Sequence, residues 1–374
     1  MAKYFFIAGE ASGDLHASRL IEALRRCDPR SAFTGLGGDK MRDAGCTLVQ
    51  DYRKMAYMGV VAVLRNLKQI RLNFRLAEDA LLQNRPDVLV LVDYPGFNLR
   101  MAQFCRRHLP ATKIVYFIPP AVWAWKTWRI HKIVRLSDLL LGIFPFEPAF
   151  YARYGYTCEY VGNPTVDAIQ AWKKTAPVRT EAVLSPVIAL LPGSRPSEIS
   201  HCLPIMLQAA RQVAQRCNAE IAVTAAPGVD DAFYAPYLNG EKLTRDTYAL
   251  LSQARAAIVN SGTATLETAL LGCPQTAVYY VAFLRWLGWL QRILFRIPRF
   301  TLVNIIPNKE VIQEMIGWRF THDEIERELM RLMTDEDYRC TLRTEYTGIA
   351  ALLGDGNAAD NAAQHIIRLL SNPK

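Results

Sequence analysis

The sequence predicts an α/β protein of two doubly wound, Rossmann-like units, each on a parallel sheet, and three observations lead there. Runs rich in β-branched and aromatic residues alternate with helical patterns at 4–8, 88–93, 113–118 and 138–143. The pattern breaks around Gly155 to Pro164 and through 170–186, where Lys173, Lys174, Thr175, Pro177 and Pro186 show little periodicity, and it restarts at 187–191, 220–225, 256–259 and 275–280. The 374 residues also exceed what one core usually organises, so two domains of about 170 residues are expected. The expected boundaries are 1–168, 169–345 with a hinge at 170–186, and helices at 346–374 whose return to the first unit is one option.

The first strand runs into Gly9-Glu10-Ala11-Ser12-Gly13-Asp14, and a helix follows from Leu15. Two glycines allow close backbone approach, but their spacing is not the three-glycine dinucleotide fingerprint. The loop after residue 36 reads Gly37-Gly38-Asp39, with no acid closing a second strand where a nicotinamide ribose needs one. As a plain turn in which Asp14 caps a helix, the segment needs no ligand. Farther on, the unbroken apolar strand Val88 to Val92 delivers Asp93 to its carboxyl end, ahead of Tyr94-Pro95-Gly96-Phe97-Asn98. A carboxylate there borders the crevice of an open α/β sheet, where desolvation raises its pKa and suits it to act as a general base. The competing reading is an Asp that caps the turn.

In the second half, two joints of one kind stand out. Pro186 to Leu191 enters Pro192-Gly193-Ser194-Arg195, with Pro196 suited to the first turn of a helix. Ala256 to Val259 enters Asn260-Ser261-Gly262-Thr263, with an apolar helical pattern to Leu271. Both place backbone N–H groups at a helix N-terminus, where the macrodipole favours an anion such as a nucleotide diphosphate. Arg195 beside such donors suits bidentate phosphate binding, the alternative being a solvated Arg after a turn. Glu267 lies one turn into the second helix, and without a ligand would be an ordinary exposed helix Glu.

The net charge of +9 asks for an anionic partner: nucleic acid, anionic lipid or phosphorylated substrate. Nucleic acid ranks lowest, because no recognised module or basic stripe with interleaved aromatics appears outside the apolar helices. Trp123, Trp125 and Trp128, near Lys126 and Arg129, could stack on bases or sugars, or pack in a core or interface. The eight cysteines are scattered without zinc spacing, which points to a reducing cytoplasm, and the six histidines form no ligand spacing. The short run Tyr4 to Ala8 stops too soon for a secretory segment, and no stretch reaches the roughly 18 uncharged apolar residues of a membrane span.

A membrane surface is a different matter. On a helical wheel from Phe283 to Arg299, Arg285, Arg292, Arg296 and Arg299 share one arc opposite Trp286, Leu287, Leu290, Ile293, Leu294 and Ile297. At about 1 kcal/mol per basic residue near an anionic surface, four arginines contribute roughly 4 kcal/mol. Arg285, Trp286, Trp289, Arg292 and Arg296 are the residues expected at the interface. The alternative is a helix packed on the domain with a solvated basic face. Residues 58–76 offer a similar set: Arg65, Lys68, Arg71 and Arg75 beside Val60, Val63, Leu64, Leu67, Ile70 and Phe74.

Six segments in order carry a resemblance: Gly9 to Asp14, Asp93 with Pro95, Phe97 and Asn98, Pro120 to Trp125, Phe144-Pro145-Phe146-Glu147, Leu191 to Arg195, and Ser261-Gly262-Thr263-Ala264. Over nearly the whole chain the series resembles the lipid-A-disaccharide synthases, family-19 glycosyltransferases. The resemblance implies a two-domain glycosyltransferase-B fold and the joining of UDP-2,3-diacylglucosamine to 2,3-diacylglucosamine 1-phosphate (lipid X) through a β(1→6) bond, with release of UDP. It implies a peripheral enzyme on the cytoplasmic face of the bacterial inner membrane, with no metal or cofactor, and leaves room for a homodimer. A soluble UDP-sugar enzyme of the same fold, such as a UDP-N-acetylglucosamine 2-epimerase, is the alternative, and a non-enzymatic, membrane-bound nucleotide-binding protein is a third reading.

By the resemblance, Asp93 is the catalytic base; Ser194, Arg195, Ser261, Gly262, Thr263, Glu267 and Asn304 face the donor; Glu10, Ser12, Gly13, Asp14 and Asn98 face the acceptor or cleft. Glu267 would contact the ribose, and the 58–76 patch would guide acyl chains. Gly96 stands where many relatives carry a second Asp with a base role, and Asn163 replaces a frequent His. The stretch after Pro227-Gly228 is short beside the family pattern, which leaves the uracil contacts unassigned.

Overall fold

The computed structural model describes residues 1–54, 67–124, 127–176, 186–280 and 299–371. They form two compact units, Met1–Pro164 with Gly356–Lys374, and Thr165–Asp355. The chain thus leaves the first unit at 164/165, ahead of the segment where the loss of periodicity puts a hinge. Pro164–Thr175 is a helix, and residues 177–185 lie outside the described ones.

In the first unit, β1 (Lys3–Ala8), β2 (Ala32–Gly37), β3 (Thr47–Asp51), β4 (Val88–Val92), β5 (Lys113–Phe117), β6 (Leu139–Gly142) and β7 (Glu159–Tyr160) lie in the order β3-β2-β1-β4-β5-β6-β7. Every pairing is parallel. The pleat sends Phe5, Ile7, Leu89, Leu91, Ile114 and Tyr116 into one buried cluster and Tyr4, Phe6, Val88, Val90, Val92 and Val115 into another. With both faces covered, the central strands β1, β4, β5 and β6 read as nearly continuous apolar runs. The C-terminal helix Ala358–Ser371 adds Ala362, Ala363 and Ile366 to the second cluster, so the chain's end closes this unit.

The second unit orders β8 (Val187–Leu191), β9 (Glu220–Thr224), β10 (Lys242–Thr244), β11 (Ala256–Asn260), β12 (Gln275–Tyr279) and β13 (Glu314–Ile316) as β10-β9-β8-β11-β12-β13, again parallel. The helix Pro196–Cys217 buries Ile199, Cys202, Leu203 and Met206. β13 (Glu314–Ile316) is a strand that the sequence does not announce. Three residues carry no legible period, and helices His322–Thr334 and Glu336–Leu353 follow it.

Both sheets reverse their strand order once, between β1 and β4 and between β8 and β11. At such switch points the connections leave in opposite directions and open a crevice outside the strand carboxyl ends. Ala8 is level with Val92, and Leu191 with Val259, so all four singled-out loops flank these two points.

Candidate active site

At the first switch point the backbone is strained where Asp93 sits. Asp93 and Tyr94 both have φ of 44°, and Ile118, just past the neighbouring β5, has φ of 60°. Asp tolerates the left-handed region; Tyr and a β-branched Ile do not, and such outliers persist only where surrounding structure holds them. The holding groups are identifiable. The Asn98 amide donates to the carbonyls of Val92 (3.2 Å) and Asp93 (2.6 Å), and the Tyr116 hydroxyl donates to the Asp93 carbonyl (2.8 Å). A Cβ on Gly9 would fall 2.3 Å from the Tyr94 ring, so glycine is required there for Tyr94 to take its place.

The Asp93 carboxyl is left open to solvent on one side and crowded by protein on the other. Desolvation raises its pKa, the nearby Glu10 carboxylate raises it further, and the Tyr94 backbone N–H opposes both. Asp93 therefore holds a proton more tightly than an ordinary Asp, the direction a general base needs. Gly96 is exposed and a Cβ there would meet nothing within 4 Å, so this loop has room for a second carboxylate.

Other acceptor-side expectations take a structural role. Asp14 is buried, and its carboxylate accepts from the N–H groups of Gly38 (2.7 Å), Met41 (3.1 Å) and Lys40 (3.1 Å), which caps the helix Asp39–Asp43. Asn98 is fully buried and braces Asp93. Gly13 packs over Ala8, whereas Glu10 is half-buried and Ser12 exposed at the carboxyl end of β1.

One group that the residue-by-residue reading leaves without a role is Glu147, 1% exposed, at the start of the helix Glu147–Ala152. It accepts from the N–H groups of Ile143 (2.8 Å) and Phe144 (2.9 Å) and from the Trp123 indole (3.3 Å). Burial nevertheless pushes its pKa up to about 7. Asn163 donates to the Ile143 carbonyl (2.9 Å) on the same loop. The carboxylate thus orients Trp123, which packs edge-on against Phe144 and Phe146 at 5.8 and 5.0 Å past the carboxyl ends of β5 and β6. An acid at a strand-to-helix joint beside aromatics was the available signal.

At the second switch point, Gly193 has φ of 128° and turns the chain so that Ser194 and Arg195 stand exposed ahead of Pro196. A Cβ at Gly193 would meet Glu198 Oε2 at 2.7 Å and the Asn260 amide at 2.8 Å, so the loop closes tightly on the end of β11. Beside it, the Ser261 N–H donates to the Val278 carbonyl (2.8 Å), extended Gly262 caps the helix Thr263–Leu270, and nothing lies within 4 Å of a Cβ placed on Gly262. The first turns of both helices present amides that lack intrahelical partners by construction. Glu267 accepts from the Tyr248 hydroxyl (2.9 Å), and burial raises its pKa against that hydrogen bond.

The family model for lipid-A-disaccharide synthetase matches residues 4–365. The chain belongs to that family. Among curated relatives it is 35% identical to the lipid-A-disaccharide synthase of Trichlorobacter lovleyi, over 98% of this chain and 97% of the relative. The solved structure of the glycosyltransferase SnogD from Streptomyces nogalater superposes with a TM-score of 0.55 at 18% identity, covering 99% of each chain. A UDP-GlcNAc 2-epimerase from Neisseria meningitidis, bound to UDP-GlcNAc, superposes with a TM-score of 0.62 at 12% identity over 99% of this chain and 100% of the other. The last two likenesses show a shared fold, two Rossmann-like units of the glycosyltransferase-B kind. Because the sequence relatives are synthases, the epimerase alternative is not favoured, and the family makes this chain a glycosyltransferase.

Within this synthase-family chain, the side chain of Asn304, expected on the donor side, bonds to its own unit. It is buried, its amide donates to the Ile312 carbonyl (2.9 Å) and Glu314 (3.0 Å), and its oxygen accepts from the Val311 and Ile312 N–H groups (2.7 and 2.9 Å). Its side chain is therefore fully used inside the fold. Arg285, Trp286, Trp289, Arg292 and Arg296 lie outside the described residues, as do Val60, Val63, Leu64, Arg65, Trp125 and Lys126.

The described half of the 58–76 patch needs a correction. On the helix Leu67–Asn84, Phe74 is buried and stacks on Phe97 at 4.4 Å, and Ile70 packs on the same core. They share the inward face with Ala77 and Leu81 at helical spacing, which leaves Leu72 and Leu76 exposed beside Arg71 and Arg75. Among the described residues no helix is long and apolar enough to cross a membrane.

Proposed function

We propose that this glycosyltransferase transfers 2,3-diacylglucosamine from UDP to the 6-hydroxyl of 2,3-diacylglucosamine 1-phosphate and releases UDP. The observation that supports the reading is what each unit carries at its own switch point, a carboxyl with raised proton affinity in the first and a set of anion-receptive amides with Arg195 in the second. Departure of UDP leaves negative charge growing on the diphosphate and positive charge on the sugar carbon, so catalysis requires neutralising the first and delivering an alkoxide-like oxygen to the second. In the proposed reaction Asp93 takes the proton from the acceptor hydroxyl as its oxygen attacks the anomeric carbon. The bond to UDP breaks in the same displacement, so the configuration inverts and a β(1→6) link forms.

Arg195 and the amides at Ser194 and Gly262–Thr263 take up the diphosphate charge, Ser261 flanks them, and Glu267 takes the ribose. Hydrogen bonds to a charged group are worth about 1.5–3 kcal/mol, against about 0.3–1 kcal/mol for an exposed helix terminus, so Arg195 carries most of this binding. Glu10 and Ser12 flank the acceptor, with Glu10 also helping to keep Asp93 basic.

The same reading places the protein peripherally on an anionic membrane surface at the cytoplasmic face of the inner membrane. Support comes from the net charge of +9, the basic and apolar segment 283–299, and exposed Leu72 and Leu76 beside Arg71 and Arg75. The direct test incubates the protein with UDP-2,3-diacylglucosamine and lipid X. A product of the disaccharide 1-phosphate mass with a β anomeric proton coupling supports the reading; UDP release without that product, or an α linkage, contradicts it.

A further inference from the structure

The anion-receptive atoms of the second switch point already hold an anion, and the chain itself supplies it. Glu198 turns its carboxylate back from the helix Pro196–Cys217 onto the preceding loop. Its Oε2 accepts from the Ser194 N–H at 2.9 Å and the Ser194 hydroxyl at 3.4 Å, and lies 3.5 Å from the Asn260 amide nitrogen that donates to it. Its Oε1 is 3.5 Å from the Arg195 guanidinium. An acid at this third helical position ordinarily reaches back to the N-cap N–H. Here the N-cap is Arg195, and the carboxylate reaches past it to Ser194, an exposed loop amide outside the helix.

Geometry ties the loop to that carboxylate. A Cβ at Gly193 would collide with Oε2, so the turn is shaped around it. The Glu198 side chain is 27% exposed, which leaves it a way out into solvent. A single N–H donates one good hydrogen bond, so a phosphate oxygen and Glu198 compete for Ser194.

We propose that Glu198 is a resident anion of the donor site: it occupies the Ser194 N–H and the Arg195 guanidinium while the site is empty, yields them to the diphosphate when donor arrives, and returns as UDP leaves. The inference rests on the reading that this loop binds the diphosphate. Its consequence is that Glu198 weakens UDP binding and hastens UDP release, because the apparent affinity of a site is reduced by the fraction of molecules in which it is otherwise occupied.

Calorimetric titration of UDP into the full-length protein and three variants tests this. Glu198→Gln removes the charge at the same size, Glu198→Asp keeps the charge but shortens the side chain so that it no longer reaches Ser194, and Arg195→Ala removes the proposed phosphate ligand. Displacement predicts that both Glu198 variants bind UDP about three- to tenfold more tightly and release it correspondingly slowly in stopped-flow experiments. It also predicts that Arg195→Ala binds UDP at least about tenfold more weakly.

If Glu198→Asp binds UDP like the wild type while only Glu198→Gln tightens, the carboxylate acts through distant repulsion and the displacement is overturned. If both weaken binding, Glu198 is a support for the loop and the proposal is equally overturned. Unchanged binding in Arg195→Ala removes the donor-site reading itself, an outcome distinct from either failure of Glu198.

Discussion

The two switch points are built on the same topology and prefer opposite charges. At β1 and β4 the chain places Glu10 near Asp93 on a strained turn, and the carboxyl responds by holding its proton more tightly. At β8 and β11 it offers backbone donors, Arg195 and a turn that only glycine permits, and these have drawn in the carboxylate of Glu198. The strand ends are interchangeable; the loops are not. A reaction that creates an oxyanion leaving group and consumes an alcohol proton needs one site of each kind, and in the proposed reaction the two loops take these two parts.

The comparison can be broken at either side, and the largest effect belongs to the carboxyl side. Asp93→Asn is expected to lower turnover by about 10²–10⁴-fold, the usual worth of a positioned proton acceptor. Because the Asp93 pKa is raised and the base must be ionised, the acid limb of the wild-type rate profile should lie above the ordinary Asp value of about 3.9. Activity is lost as pH falls through that raised value. A limb at or below the ordinary value would dissociate Asp93 from the rate.

On the other side, Arg195→Ala should cost about 10- to 100-fold in kcat/KM, with the loss shared by UDP affinity, as removal of a charge-assisted hydrogen bond implies. A smaller effect sharpens the role of strain. Tyr116→Phe removes one of the two side-chain donors to the Asp93 carbonyl and should lower kcat about three- to tenfold through one hydrogen bond of about 1 kcal/mol, with UDP affinity unchanged. Equal losses in UDP binding would argue for general unfolding.

Glu147 gives a stability signature confined to the first unit. Its folded pKa of about 7 exceeds the ordinary 4.5, so the folded state binds this proton more tightly than the unfolded chain. The associated stability is fully present below about pH 4.5 and is lost as pH rises through 7, on the order of 3 kcal/mol at 1.36 kcal/mol per pH unit. Melting curves from pH 4.5 to 8 should therefore flatten in Glu147→Gln relative to the wild type. The smallest effect is expected from Gly96→Asp: the open space around Gly96 should keep the melting temperature within about 2 °C, since exposed substitutions usually stay within about 0.5 kcal/mol.

Much of this was legible in the sequence, and the limits are physical. Buried parallel strands are unbroken apolar runs, so Val88–Val92 and Ala256–Asn260 announce themselves and carry Asp93 and Ser261 to the right edge. The short strands Glu159–Tyr160, Lys242–Thr244 and Glu314–Ile316 hold too few residues for a period. Polar side chains are harder still. Asp14 and Asn98 sit in the resemblance segments and Asn304 lies apart from them, yet the Asp14 carboxylate, the Asn98 amide nitrogen and the Asn304 side chain all bond backbone groups, and composition cannot separate a brace from a ligand contact. Phe74 reads as part of an apolar patch, but which face a helix turns inward depends on its partner, here Phe97. Glu198 and Glu147 act by folding back onto loops, a relation that appears only once those loops have shape.

The division of labour between the two switch points is tested most directly by titrating UDP into Asp93→Asn on the same preparation used for turnover. The account predicts turnover reduced at least about 100-fold with a UDP dissociation constant within about twofold of the wild type. Wild-type turnover in that variant, or a loss of UDP affinity in parallel with the loss of turnover, would contradict it.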